Sequence, residues 1–283
     1  MTRVSLSRRT VLAAAGSAAA WAASASAPPP EAWTLEIESF DGESIAYRAM
    51  GIGRPLVLLH GFLSTAQQTW MASGLAERLA ASRRRVILPD FRGHGRSAKP
   101  QDPARYPPDI LAMDIEALLE QLEITDCDIA GYSLGARIAA RLMVRGLRPR
   151  KLALCGMGFE GLTAIAARVA HFENLIVNGE NSGNPRAARV VAAMMEQAGI
   201  SQAVALAVLR SQLDTTPEDL AGFEAETRIV CGTRDRDNGD PARLSAAIPG
   251  AVLEQPDGDH LSTVSAPAFA DALARFFSED NAA

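Results

Sequence analysis

Gly131-Tyr132-Ser133-Leu134-Gly135 places a serine between two glycines in the pattern G-x-S-x-G. A short apolar run, Cys127 to Ala130, leads into it, and a helical pattern, Ala136 to Val144, leaves it. In a strand–turn–helix of this kind the serine is pinned in a sharp, strained turn with its hydroxyl exposed, and the glycines avoid backbone clashes. A serine hydroxyl is a weak nucleophile and needs a base within hydrogen-bond reach. The chain has only 4 histidines to supply one. His60 and His94 sit in glycine turns, where an imidazole can bond backbone, and His171 falls in a helical stretch. His260 follows Asp257-Gly258-Asp259, between the last strand-like run and the closing helix. Loops that follow parallel strands gather at one edge of the sheet, so His260 is expected beside Ser133.

A base of this type needs a carboxylate to fix its tautomer and stabilise its charged form. Asp235 ends Gly232-Thr233-Arg234-Asp235, after the run Arg228 to Cys231, and is the first choice. Asp237, two residues on, is its rival. Asp259 reads as a turn residue that caps its own backbone. The resulting chain order is Ser133, Asp235, His260, the order of the strand-elbow template. The tetrahedral intermediate also needs backbone donors for its oxyanion. Leu134 N–H is expected to supply one, and Phe62 N–H, in the turn His60-Gly61-Phe62, the other, with Gly61 permitting the close approach. This chemistry is acyl transfer, and it requires neither cofactor nor metal.

The elements that must hold these residues alternate between strand and helix. Trp33 to Glu38 and Ser44 to Met50 read as a hairpin across Phe40-Asp41-Gly42-Glu43. Pro55 to Leu59, Val86 to Leu88, Cys127 to Ala130, Lys151 to Cys155, Arg228 to Cys231 and Ala251 to Gln255 read as further strands. Several are continuously apolar, as strands covered on both faces are. Helical patterns fall at Ala66 to Ala81, Asp109 to Leu122, Ala136 to Val144 and Ala266 to Phe277. The alternation predicts an α/β fold with a mostly parallel sheet and helices on both faces. From Phe159 to Phe223 only helical patterns occur: Thr163 to Val177, Ala187 to Gln197 and Ser201 to Leu213. Residues 32–158 and 224–280 are therefore expected to form the core, with 159–223 inserted as a helical cap. Apolar cap residues (Ile165, Val169, Val190, Met194, Met195, Leu206) are candidates to face the sheet and favour a small to medium apolar substrate.

At 283 residues, 48% hydrophobic and 22% charged, the composition is that of a globular chain. The net charge of -5 offers no basic stripe for nucleic acid. The 3 cysteines, Cys127, Cys155 and Cys231, are too few and scattered for a disulfide framework or a zinc site. The N-terminus differs from the rest. Arg3, Arg8 and Arg9, an alanine-rich apolar run from Val11 to Ala25, and Ala25-Ser26-Ala27 before three prolines have the layout of an export signal over 1–27. Ser7-Arg8-Arg9-Thr10-Val11-Leu12 is similar to twin-arginine signals. Export machinery is thus an expected partner, and the periplasm or exterior the expected location. The run is too short for a membrane span, and no later stretch approaches about 18 uninterrupted apolar residues.

Taken together, Leu58-Leu59-His60-Gly61-Phe62, Asp90-Phe91-Arg92-Gly93-His94-Gly95-Arg96-Ser97, the Ser133 elbow, Gly232-Thr233-Arg234-Asp235 and Asp259-His260 resemble the α/β-hydrolase superfamily, in particular its capped esterase- and lipase-like members. The resemblance covers about residues 32–279. It implies a serine hydrolase with Ser133, Asp235 and His260 as triad; a small-molecule carboxylic ester is the first expectation, with amide or lactone cleavage and cofactor-free perhydrolysis or haloperoxidation as alternatives on the same triad. Asp259 stands where the family usually has glycine. Relatives that open epoxides or remove halogens would carry aspartate at position 133, where this chain has serine.

Overall fold

The computed structural model describes residues 35–278. The expected export signal, residues 1–27, lies outside the described residues, as does Trp33. The described chain opens with β1 (Leu35–Glu38), β2 (Ser44–Met50) and β3 (Arg54–Leu59). It continues through α1 (Leu75–Ala81), β4 (Arg84–Pro89), α2 (Ile110–Gln121), β5 (Asp128–Tyr132), α3 (Leu134–Val144) and β6 (Lys151–Cys155). Five helices follow without a strand between them: α4 (Phe159–Thr163), α5 (Ile165–Asn178), α6 (Pro185–Ala198), α7 (Gln202–Arg210) and α8 (Pro217–Ala221). The chain then closes with β7 (Glu226–Val230), α9 (Pro241–Ala247), β8 (Val252–Glu254) and α10 (Pro267–Ser278).

The eight strands form one sheet in the order β1-β2-β4-β3-β5-β6-β7-β8. Only the β1–β2 and β2–β4 pairs are antiparallel, and the remaining pairs are parallel. Successive side chains of a strand point to opposite faces, and the core divides accordingly. Val57, Leu59, Ile129, Leu152 and Leu154 pack on one face with Ile115 and Leu118 of α2 and Ile138 and Leu142 of α3. Leu56, Leu58, Ala130 and Ala153 pack on the other with Leu75 and Leu79 of α1 and Phe269, Leu273 and Phe276 of α10. Burial on both faces explains why these strands read as unbroken apolar runs.

Three local expectations change. Ala66 to Ala81 is two elements: a π-helical turn at Gln67–Met71, then α1 after Gly74, whose φ of 72 ends any continuous helix. The pattern beginning at Thr163 is also broken, between α4 and α5 at Ala164 (φ -145). There the Ile165 N–H donates to Asp214 Oδ1 at 2.8 Å, so a distant side chain opens α5. Thr216-Pro217, read as a turn, instead starts α8 with a capping box. Among the described residues no single helix is long and apolar enough to cross a membrane.

Candidate active site

β5 delivers Ser133 to the C-terminal edge of the sheet, and α3 carries the chain away from it. Ser133 has φ 54 and ψ -109, a conformation costing a non-glycine residue about 1–3 kcal/mol. The turn is enforced by tight packing on both sides. A Cβ at Gly131 would lie 2.1 Å from the Gly135 carbonyl oxygen, and one at Gly135 would lie 2.1 Å from that of Leu59. Both glycines are therefore demanded by neighbouring backbone. Gly61 is different: a Cβ there meets nothing closer than 3.7 Å. Protein packing does not require glycine at 61, although the added atom would lie 3.8 Å from Ser133 Cβ and intrude on the site.

The loop after β8 brings His260 to the serine. Its Nε2 is 3.0 Å from Ser133 Oγ, and its Nδ1 is 2.8 Å from Asp235 Oδ2. An ionised carboxylate only accepts, so Nδ1–H donates to Asp235 and Nε2 is left to accept from the serine hydroxyl. Burial alone would raise the Asp235 pKa. The His260 hydrogen bond and charge, with the Asp237 N–H, outweigh it and hold the carboxyl below the usual aspartate range. Tyr132 braces the histidine by donating its hydroxyl to the His260 carbonyl at 2.6 Å. Its ring lies 5.4 Å from the imidazole.

Asp237, the rival acid, is exposed and does not meet His260. It contributes its backbone N–H to Asp235 Oδ1 at 3.1 Å and so helps to orient the acid. Asp259 accepts from the backbone N–H groups of Leu261 and Ser262, capping its own turn.

Leu134 is the first residue of α3, and its N–H has no intrahelical acceptor by position. Neither it nor the Phe62 N–H has a hydrogen-bond acceptor among the described residues. The loop carrying Phe62 is pinned from below by two neutral histidines. His60 Nδ1–H donates to the Gly61 carbonyl at 2.8 Å, and Nε2 accepts from Phe91 N–H at 3.0 Å. His94 Nε2 accepts from Leu63 N–H at 3.3 Å, and Nδ1–H donates to the Arg92 carbonyl at 3.2 Å. Burial, reinforced by His60 alongside, pushes the His94 pKa down to about 3, so its ring stays uncharged. Arg92 holds the far end of this assembly through ion pairs to Asp41 and Asp114.

A cavity of about 420 Å³ opens above Ser133 and His260. One side of it comes from α5 and α6, through Phe172, Leu175, Val191 and Met194 among others. Of the apolar residues expected to face the sheet, Val190 and Met194 line this cavity, whereas Ile165, Val169, Met195 and Leu206 do not. Missed by sequence reasoning were Tyr132, Arg168, His171 and Arg186, all in the cavity wall. Tyr132 stood inside the elbow motif, where only the serine and glycines carried a signal. The cap cations resembled an ordinary solvated helix face.

A family model described as the alpha/beta hydrolase family matches residues 56–272. The chain belongs to the alpha/beta hydrolase family. One curated relative of this alpha/beta hydrolase family member is 2-hydroxymuconate semialdehyde hydrolase from Pseudomonas sp. strain CF600. It is 37% identical over 122 residues, 41% of this chain and 42% of that protein, so less than half of the relative's length is matched. Among solved structures, a hydrolase from Pseudomonas aeruginosa PA01 is 26% identical with a TM-score of 0.67, covering 86% of this chain and 97% of the other. Esterase RhEst1 from Rhodococcus sp. ECU1013 shares the fold at a TM-score of 0.65 and 23% identity, covering 87% and 98%.

Proposed function

We propose that this chain is a serine hydrolase that cleaves a carboxylic ester through an acyl-enzyme on Ser133. The observation that carries the proposal is the unbroken hydrogen-bonded line from Ser133 Oγ through the His260 ring to Asp235. Ser133 Oγ attacks the ester carbonyl while His260 Nε2 takes its proton, and Asp235 stabilises the imidazolium that forms. The carbonyl oxygen, now an oxyanion, is received by the unengaged N–H groups of Phe62 and Leu134. Collapse expels the alcohol, which takes the proton from His260. Water deprotonated by the same nitrogen then attacks the acyl-enzyme, and the acid leaves with Ser133 restored.

The cavity supports a substrate of modest size with apolar parts, since Phe172, Leu175, Val191 and Met194 surround the nucleophile. One relative is named for a semialdehyde, a substrate other than an ester. The direct test is turnover of p-nitrophenyl esters of graded acyl length. A rapid burst of p-nitrophenolate equal to the enzyme concentration, followed by slower steady release, is expected for an acyl-enzyme. Failure to turn over any of these esters, with hydrolysis of a non-ester carbonyl compound by the same preparation, would overturn the proposal.

A further inference from the structure

Arg168 is a charged side chain in the cavity wall that no step above employs. It stands on α5, half-buried, with its guanidinium carbon 5.0 Å from the centre of the Phe172 ring. One N–H donates to the Asp237 backbone carbonyl at 2.5 Å. No carboxylate forms an ion pair with it among the described residues, and Asp237 and Asp235 act on it only through space.

This chain normally pairs its sheltered arginines. Arg92 meets Asp41 and Asp114, Arg84 meets Asp128, and Arg141 meets Asp109. Arg137, buried without a carboxylate, donates from its two terminal nitrogens to Gln212 and Asn238 and lies outside the cavity. Among the described residues, Arg168 alone combines partial burial, no carboxylate ion pair and access to the space above Ser133. The charged and titratable side chains that α5 and α6 give to the cavity are Arg168, His171 and Arg186, with no acid among them. Asp237 is the only carboxylate in the lining, and it is exposed to solvent.

We propose that Arg168 receives a carboxylate carried by the substrate itself. Resting on the ester-hydrolase proposal, this narrows the substrate to an ester with a free acid elsewhere in the molecule: a half-ester of a dicarboxylic acid or an ester of a hydroxy acid. A planar guanidinium matches a carboxylate with paired, charge-assisted hydrogen bonds. Arg168 is the half-buried cation of a wall whose other arginine, Arg186, is exposed to solvent, and one such guanidinium suits a single negative charge better than a doubly charged phosphate.

Binding and turnover separate this from the chemistry it depends on. Full-length Ser133→Ala protein is titrated calorimetrically with monoethyl glutarate, with 3-(propanoyloxy)propanoate and with neutral ethyl pentanoate. At least one acid should bind roughly tenfold or more tightly than the neutral ester. Adding Arg168→Gln should erase that preference, and Arg168→Lys should restore part of it. In the enzyme with Ser133 intact, the ratio of kcat/KM between acid and neutral ester should fall in parallel with Arg168→Gln. Equal binding of all three compounds, or a preference that survives Arg168→Gln but is lost with Arg186→Gln, overturns the assignment. A parallel loss for acid and neutral esters also overturns it, since that is what a purely structural staple to Asp237 would give. Should no ester turn over, the hydrolase proposal falls, while the binding comparison still decides the role of Arg168.

Discussion

Ser133 is held in a backbone conformation, φ 54, that residues other than glycine rarely adopt. The 2.1 Å clearances at Gly131 and Gly135 show what holds it there. Its place in a strand–turn–helix elbow was legible in the sequence because the motif, the strand before it and the helix after it all agreed. His260 was reached by elimination among 4 histidines, because the other candidates sat in turns or on a helix, and the structure places its Nε2 3.0 Å from Ser133 Oγ. The choice between Asp235 and Asp237 lay beyond the sequence: both belong to one loop, and spacing cannot say which carboxylate turns inward. In the structure Asp235 Oδ2 meets Nδ1 at 2.8 Å, while Asp237 offers only its N–H. Asp235→Asn should therefore lower kcat on an ester by about 10³–10⁴, since an amide favours the wrong histidine tautomer. Asp237→Asn keeps the backbone donor and should stay within about tenfold of the parent. Steady-state kinetics of the two variants checks this, and the reverse ranking would move the acid to Asp237.

At the scale of elements, the parallel strands were readable because both faces are buried, which makes them continuously apolar. Helix interruptions were not readable. The break at Ala164 depends on Asp214, far along the chain, and Asp240-Pro241 opens α9 by a cap signal that passed unnoticed beside the loop of the acid. The loop bearing Phe62 shows what an element needs besides its own residues, since His60 and His94 hold it through backbone hydrogen bonds. A pH effect follows from that construction. The unfolded chain binds a proton at His94 near pH 6.5, while the folded protein does not until about pH 3. Between those values the unfolded state binds more protons, so stability rises with pH and drains away as pH falls below 6.5. The slope expected from this one group is about 1.4 kcal/mol per pH unit. Urea unfolding of wild type and His94→Gln from pH 7 to 4 should give curves that converge as the pH drops. Parallel curves would show that His94 is not kept neutral by the fold.

For the whole molecule, strand order and the two-sided core bring the loops after β3, β5, β7 and β8 to one edge of the sheet, and α5 and α6 wall the cavity above it. The alternation of apolar runs foretold that arrangement. The cavity wall was foretold only in part: Val190 and Met194 were candidates for it, but Arg168, His171 and Arg186 were not, since the contacts of α5 and α6 are set by how the stretch between β6 and β7 folds back rather than by any local pattern. The fold itself does not choose a reaction; our proposal rests on the alignment of Ser133, His260 and Asp235. That alignment is most directly tested by reacting the full-length protein with a fluorophosphonate and mapping the adduct by mass spectrometry. We expect a single adduct on the peptide containing Ser133, absent from Ser133→Ala and formed far more slowly in His260→Ala. An adduct on another residue, or undiminished labelling of Ser133→Ala, would contradict Ser133 as the nucleophile.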